Sequence, residues 1–228
     1  LIKRLIERFF GEVKVIRFRE SDAALGYYNL REGCALIAGT GSSCYVHTPD
    51  GSTVMGGGLG PQFGDEGSAY WLGKEAIASV LRATQATGEQ SRLAKSMLRH
   101  FGIEKPHDIL QFTYGNGFMS ASKIAGFAKE VFALAKENDG DAIALCSRAG
   151  SELGKLVADT MARAGVEEIP LVCSGGVFHG GAFITDPLQA FLKQHNIRYI
   201  WMSPLLEPVE GLLRALTNTL EKGESHVS

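Results

Sequence analysis

Hydrophobic and polar positions change period along this chain, and the changes divide it into elements. From Cys34, three strand-like segments follow closely: CALIAG (34–39), SCYVHT (43–48) and STVMG (52–56). Their connections, Thr40-Gly41-Ser42 and Pro49-Asp50-Gly51, are hairpin-sized and made of turn residues, which predicts an antiparallel meander. Beyond Gly67 the spacing becomes helical to about Thr84, with shorter helices over 91–101 and 106–114. Between Ser120 and Lys136, the residues Ile124, Phe127, Ala128, Val131 and Ala135 mark one amphipathic helix, and Leu153, Leu156, Val157, Thr160, Met161 and Ala164 mark another. PLVCSGG (170–176) is an apolar strand ending in two glycines, followed by a helix with Ile184, Leu188, Phe191 and Leu192 on one face. RYIWM (198–202) is a further strand, and a last helix turns Val209, Leu212, Leu213, Leu216 and Leu220 to the core.

Upstream, LIKRLIERFF has a helical pattern and VKVIRF (13–18), rich in β-branched and aromatic residues, a strand pattern. A short helix through AALG follows, capped by Ser21 or Asp22 and ended by Gly26 and Asn29. Three antiparallel strands followed by alternating strand and helix units imply parallel additions by crossover. The expected architecture is α/β: a mixed five-stranded sheet with helices on both faces. This layout is similar to the ribonuclease H-like half-domain found twice in sugar kinases, actin and the chaperone ATPases. The chain opens at Leu1 inside a helical pattern, so residues 34–228 are expected to be one such domain and residues 1–33 the end of a preceding one.

Composition sharpens the picture at one place. Glycine is 28 of 228 residues, about 12% where about 7% is ordinary, and nine of these fall between Gly39 and Gly67. With 23 basic and 25 acidic residues and no dense Lys/Arg stripe, nucleic acid is excluded as a partner. No run approaches a membrane span and the start lacks the pattern of a signal peptide, so a cytoplasmic protein without a membrane partner is expected. Cys34, Cys44, Cys146 and Cys173 have no CxxC spacing, which reads as buried free thiols rather than metal ligands.

Four strings can carry chemistry. Thr40, Gly41 and Ser42 follow a strand and offer backbone N–H groups and hydroxyls to an anion, or else form an ordinary hairpin turn. Gly56 to Ser68 is a glycine loop closing on Asp65 and Glu66; the two acids suit a helix N-terminus, but five glycines in 56–64 exceed what a cap requires and imply backbone contact with a ligand. Asp22 follows a strand and fits a cap, a turn or a catalytic carboxylate. Ser174-Gly175-Gly176 lies at the carboxyl end of a buried strand, where open α/β sheets bind ligands, although a tight turn explains it equally.

In order, IAGTGSSCYV, GGGLGPQFGDEGSAYWLG and LVCSGGV resemble the N-acetylglucosamine kinase-like group of the BadF/BadG/BcrA/BcrD ATPase family, over about Arg19 to Leu216. The resemblance implies ATP and Mg²⁺ as cofactors, an amino sugar or N-acetylhexosamine as substrate, and Asp22 as general base toward the sugar hydroxyl. It places Thr40, Gly41 and Ser42 on a phosphate turn, Gly58, Leu59, Gly60 and Asp65 on the sugar loop, and Gly175 and Gly176 beside the adenosine. No metal ligand is assigned in the protein itself. Ser21 stands where the family usually has Asn, Leu59 where several relatives have Trp, and the family's Asp-Gly-Gly-Gly-Thr hairpin does not occur.

Two other readings accompany this one: an ATPase activator of a dehydratase or reductase with a shared iron–sulfur cluster, which would involve Cys34 and Cys44, and a degenerate sugar-binding module. The resemblance also implies a homodimer built on the helical middle, with Phe112, Tyr114, Phe118 and Phe127 as candidate contacts. Lacking one phosphate clamp, this chain is expected to be a poor kinase by itself.

Overall fold

The structure is a computed structural model, and it describes residues 6, 8–11, 18–88, 91–114, 119–204 and 208–221. Residues 8–10 are helical, as the opening pattern predicts, whereas the strand expected from Val13 to Phe18 lies, apart from Phe18, outside the described residues. Helix α1 (Glu20–Tyr27) leads to β1 (Gly33–Ala38), β2 (Ser42–His47) and β3 (Thr53–Gly57). The helical middle comprises α2 (Ala69–Thr87), α3 (Arg92–Phe101), a 3₁₀ turn (Pro106–Leu110) running into α4 (Gln111–Tyr114), α5 (Ala121–Gly126), α6 (Ala128–Lys136) and α7 (Gly140–Ala164). The chain then alternates: β4 (Glu168–Ser174), a 3₁₀ turn (Gly176–Gly180), α8 (Ala182–Gln194), β5 (Arg198–Trp201) and α9 (Pro208–Glu221).

The sheet has five strands in the order β3-β2-β1-β4-β5. β1 pairs antiparallel with β2 and parallel with β4, so that Leu36 sits opposite Cys44 on one side and Cys173 on the other. Two apolar faces follow from this register. Cys34, Leu36, Ala38, Cys44, Val46, Leu171 and Cys173 join the main core with Leu153, Val157 and Met161 of α7 and Ile184, Leu188 and Leu192 of α8. Ala35 and Val172 face the other way, onto Ala24 and Leu25 of α1. β1 and most of β4 are therefore buried on both faces, which is why they read as continuous apolar runs rather than alternating ones.

Three local expectations are corrected. Helix α1 begins at Glu20, with Arg19 as its N-cap and Asp22 in the third helical position; the Arg19 N–H donates to Asp22 Oδ2 at 2.7 Å. Neither Ser21 nor Asp22 is the cap residue. The helix expected over 120–136 is two, α5 and α6, offset at Phe127, whose ring is wholly buried in the core. Finally, α9 turns a small-residue face inward. Gly211 and Ala215 are buried, while Val209, Leu212 and Leu213 are 66%, 41% and 59% exposed, because α1 and α9 meet where Gly26 packs directly on Ala215. The Leu220 side chain lies outside the described residues.

Helices α7 and α8 pack still closer. A Cβ placed on Gly150 would lie 2.3 Å from the Ile184 carbonyl oxygen, a backbone atom that cannot step aside. Gly150→Ala adds about 1 kcal/mol of helix propensity, but overpacking costs about 1–3 kcal/mol, so the variant is expected to unfold at a lower temperature than the parent. Gly140→Ala, in open space at the first residue of the same helix, serves as the control in the same thermal unfolding experiment and is expected to show no loss.

Candidate functional site

A cleft of about 490 Å³ opens at the carboxyl ends of β1 and β4, lined by Glu20, Ile37, Gly39, Thr40, Gly41, Ser42, Ser43, Gly58, Gly60, Asp65, Ser174 and Gly175. Residues from four separate stretches of sequence meet there, at the place where a sheet of this topology leaves backbone groups free. Thr40, Gly41, Ser42, Gly58, Gly60, Asp65 and Gly175 were singled out by sequence, and all line it. Leu59, Gly176 and Asp22 do not. Leu59 is 67% exposed on the outside of the glycine loop, Gly176 begins the 3₁₀ turn, and Asp22 faces His47.

The turn after β1 and the loop before α2 are lashed together. Ser42 N–H donates to Asp65 Oδ1 at 3.3 Å, and the Ser42 hydroxyl donates to the Glu66 carbonyl at 2.9 Å. From α2, Ala69 N–H donates to the Gly39 carbonyl at 2.9 Å and Tyr70 N–H to the Thr40 carbonyl at 3.2 Å. Ser42 thus builds the wall, whereas Thr40 is exposed and lines the cleft. Helix α2 is capped by Ser68, whose Oγ accepts from Trp71 N–H at 3.1 Å. The paired acids are not the cap, so the Asp65 carboxylate, 7% exposed, is left for the cleft.

The glycines divide into two uses. Gly56 and Gly57 let β3 approach α7, where a Cβ on Gly56 would lie 2.1 Å from Thr160 Oγ1. Gly58 and Gly60 carry positive φ (67° and 81°) and line the cleft, so there the backbone itself faces the space. On the opposite wall Gly175 (φ 112°) packs its Cα against the Ala38 carbonyl, closing the end of β1 against that of β4.

Glu20 was missed by sequence reasoning. It is the first residue of α1, two before Asp22, and the only advance signal was a second carboxylate in the same first turn. Asp22 itself is one-third exposed: Oδ2 accepts from Arg19 N–H, and Oδ1 lies 3.8 Å from His47 Nε2. His47 is held by Ser21, whose Oγ is 3.1 Å from the same nitrogen.

The four cysteines are free and buried. Cys34 and Cys44 have their sulfurs 3.3 Å apart inside the main core. Their hydrogen bond, followed by burial, holds the Cys34 thiol well above its usual pKa, and burial pushes Cys146 up to about 12. Such thiols stay protonated at neutral pH. Neither Cys34 nor Cys44 reaches the surface, where a cluster shared between subunits would have to be held. Among the described residues, no group of three or more His, Cys, Asp or Glu is placed to hold a metal ion, and no helix is long and apolar enough to cross a membrane.

A mixed sheet of this order, with a backbone-lined cleft at the ends of its two central parallel strands, defines the ribonuclease H-like domain of the actin-type ATPases and sugar kinases. A Porphyromonas gingivalis structure, provisionally assigned as an N-acetylglucosamine kinase, superposes with a TM-score of 0.68 at 22% identity, covering 88% of this chain and 65% of that one. Within that class, the chain belongs to the BadF/BadG/BcrA/BcrD ATPase family, whose sequence profile matches residues 11–213. The N-acetylmuramic acid/N-acetylglucosamine kinase of Clostridium acetobutylicum is 28% identical over 190 residues, 82% of this chain and 60% of that protein. The N-acetyl-D-glucosamine kinase of Dictyostelium discoideum is 27% identical over 166 residues, 72% of this chain and 52% of that protein. The chain thus spans between half and two-thirds of the length of these relatives.

Ser42→Ala removes a hydroxyl that is nearly wholly buried and leaves the Glu66 carbonyl without its donor. The expected cost is about 1–3 kcal/mol, read by denaturant unfolding, whereas Thr40→Ala, on the exposed side of the same turn, is expected to change stability by less than about 0.5 kcal/mol.

Proposed function

We propose that the protein is an ATP-dependent kinase of an amino sugar or N-acetylhexosamine, with this chain supplying one wall of the catalytic cleft. The observation that carries the reading is the meeting of the Thr40-Gly41-Ser42 turn, the Gly58–Asp65 loop and Gly175 in a single cleft. The two kinases that share its sequence pattern support the choice of substrate class. Residues 1–33 are read as the end of a first actin-like lobe and 34–228 as the second.

On this reading the exposed Thr40 and Gly41 present N–H and hydroxyl groups to the polyphosphate, and Gly175 with Gly176 flanks the adenosine. Gly58, Leu59 and Gly60 hold the sugar through backbone and loop contacts, and Asp65 accepts hydrogen bonds from its hydroxyls. The cleft offers hard oxygen donors, the carboxylates of Glu20 and Asp65 and the Thr40 hydroxyl, which suit a nucleotide carrying Mg²⁺. Bound with the nucleotide, that ion supplies charge neutralisation across the phosphates. Asp22 takes the proton from the sugar hydroxyl as the γ-phosphoryl group arrives, since an uncharged alcohol needs a carboxylate within hydrogen-bond reach. The two lobes must close for Asp22, beside the cleft rather than in it here, to meet the acceptor.

A cytoplasmic setting fits the four free thiols. If the protein forms a homodimer on its helical middle, Phe127 is not part of the contact, because it is core, and Phe112 packs against the same core. The Tyr114 and Phe118 side chains lie outside the described residues.

With ATP, Mg²⁺ and a panel of hexosamines, the full-length protein is expected to phosphorylate N-acetylglucosamine or a close relative. Asp22→Asn should lower kcat by about 10²–10⁴-fold with little change in sugar KM, and Asp65→Asn should raise sugar KM by about tenfold or more. Sugar phosphorylation undiminished in Asp22→Asn would sink the base assignment.

A further inference from the structure

The strand β2 carries one side chain that the proposed chemistry leaves unused. His47 ends β2 with its ring largely buried, and its Nε2 lies 3.1 Å from Ser21 Oγ and 3.8 Å from Asp22 Oδ1. The other carboxylate oxygen, Oδ2, is already fixed at 2.7 Å by the Arg19 N–H in the first turn of α1. Ser21 is wholly buried, and opposite His47 on β1 stands Gly33, which leaves the ring its room. Two groups thus flank one carboxylate: the backbone amide of Arg19 at the start of its own helix, and the imidazole of His47 on β2, which the hydroxyl of Ser21, also in α1, anchors.

We propose that His47 is a positioning residue for Asp22: anchored by the Ser21 hydroxyl, its Nε2 stands beside Oδ1 and keeps the carboxylate in the orientation that accepts the substrate proton. The inference rests on the reading of Asp22 as the base. It gives the reaction a pH signature that a carboxylate alone would lack. Among the described residues, the charged groups that act on His47 are Asp22 and Arg19, while β1 and β3 set Gly33 and Thr53 opposite it, neither of which titrates. Burial lowers the imidazole's pKa below its ordinary value; the Asp22 charge opposes that shift and Arg19 adds to it. His47 is accordingly neutral at pH 7 and above, so no imidazolium stands beside Asp22 there. As the pH falls through the lowered imidazole pKa, the imidazolium pairs with Asp22 and weakens it as a proton acceptor. Activity is therefore full above that pKa and is lost below it.

The test uses pH–rate profiles of the full-length protein with ATP, Mg²⁺ and N-acetylglucosamine. His47→Gln keeps a hydrogen-bonding group that does not titrate, so kcat near pH 8 should stay within about threefold of the parent while the acid limb moves to lower pH. His47→Phe should lower kcat by about tenfold with sugar KM within about twofold, and should cause no further loss in an Asp22→Asn background. Thermal unfolding shows whether His47→Phe is folded; if it is not, the acid limb of His47→Gln decides. An acid limb unmoved in His47→Gln, with Asp22→Asn inactive, overturns the role of His47 and leaves the base reading intact. Parent-level activity in Asp22→Asn overturns both.

Discussion

Asp65 is a carboxylate with 7% exposure on a residue of positive φ (61°), a backbone conformation that costs a non-glycine residue of order 1 kcal/mol or more. It stays there because the chain on either side is fixed. The turn after β1 receives two backbone hydrogen bonds from the start of α2 and gives two from Ser42 to Asp65 and Glu66. Through that lashing, the position of the carboxylate is referred to the central strand of the sheet rather than to a loop. Gly41 completes the arrangement, since a Cβ there would come within 2.7 Å of Asp65 Oδ2. A buried acid in a defined place, next to the Thr40-Gly41-Ser42 turn that lines the same cleft, is the constraint from which the rest of the cleft follows.

The sheet and most helices were legible because they obey local rules. β1 and β4 read as strands by continuous apolar content, and Thr40-Gly41-Ser42 and Pro49-Asp50-Gly51 gave the hairpins away as turn chemistry. What failed was the assignment of faces where packing distance outweighs hydrophobicity. In α9 a leucine-rich stripe was the natural inward face, yet Gly211 and Ala215 turn inward, since Gly26 of α1 allows a contact too close for leucine. The cap of α1 was misplaced by two or three residues for a related reason: an Asp at the third helical position can serve the first turn as well as one at the cap.

In the site, the glycine clusters were readable as a location but not as roles. Gly56 and Gly58 look alike in sequence, and only the path of α7 separates a glycine that admits a helix from one that faces the cleft. Glu20 and His47 carried no motif at all. Each acquires meaning from the neighbour that folding brings to it, the cleft in one case and Asp22 in the other. The same topology moves Cys34 and Cys44 into the core, where they serve packing rather than chemistry.

On the proposed reading, nucleotide and sugar meet in the cleft at the ends of β1 and β4. Hydrogen exchange of the full-length protein, with and without N-acetylglucosamine and a non-hydrolysable ATP analogue with Mg²⁺, tests it most directly. Exchange of backbone amides is expected to slow over 39–43, 58–66 and 174–176, with the sugar acting on the second segment and the nucleotide on the first and third. Protection confined to other segments, or none under conditions where binding is measured independently, would contradict it.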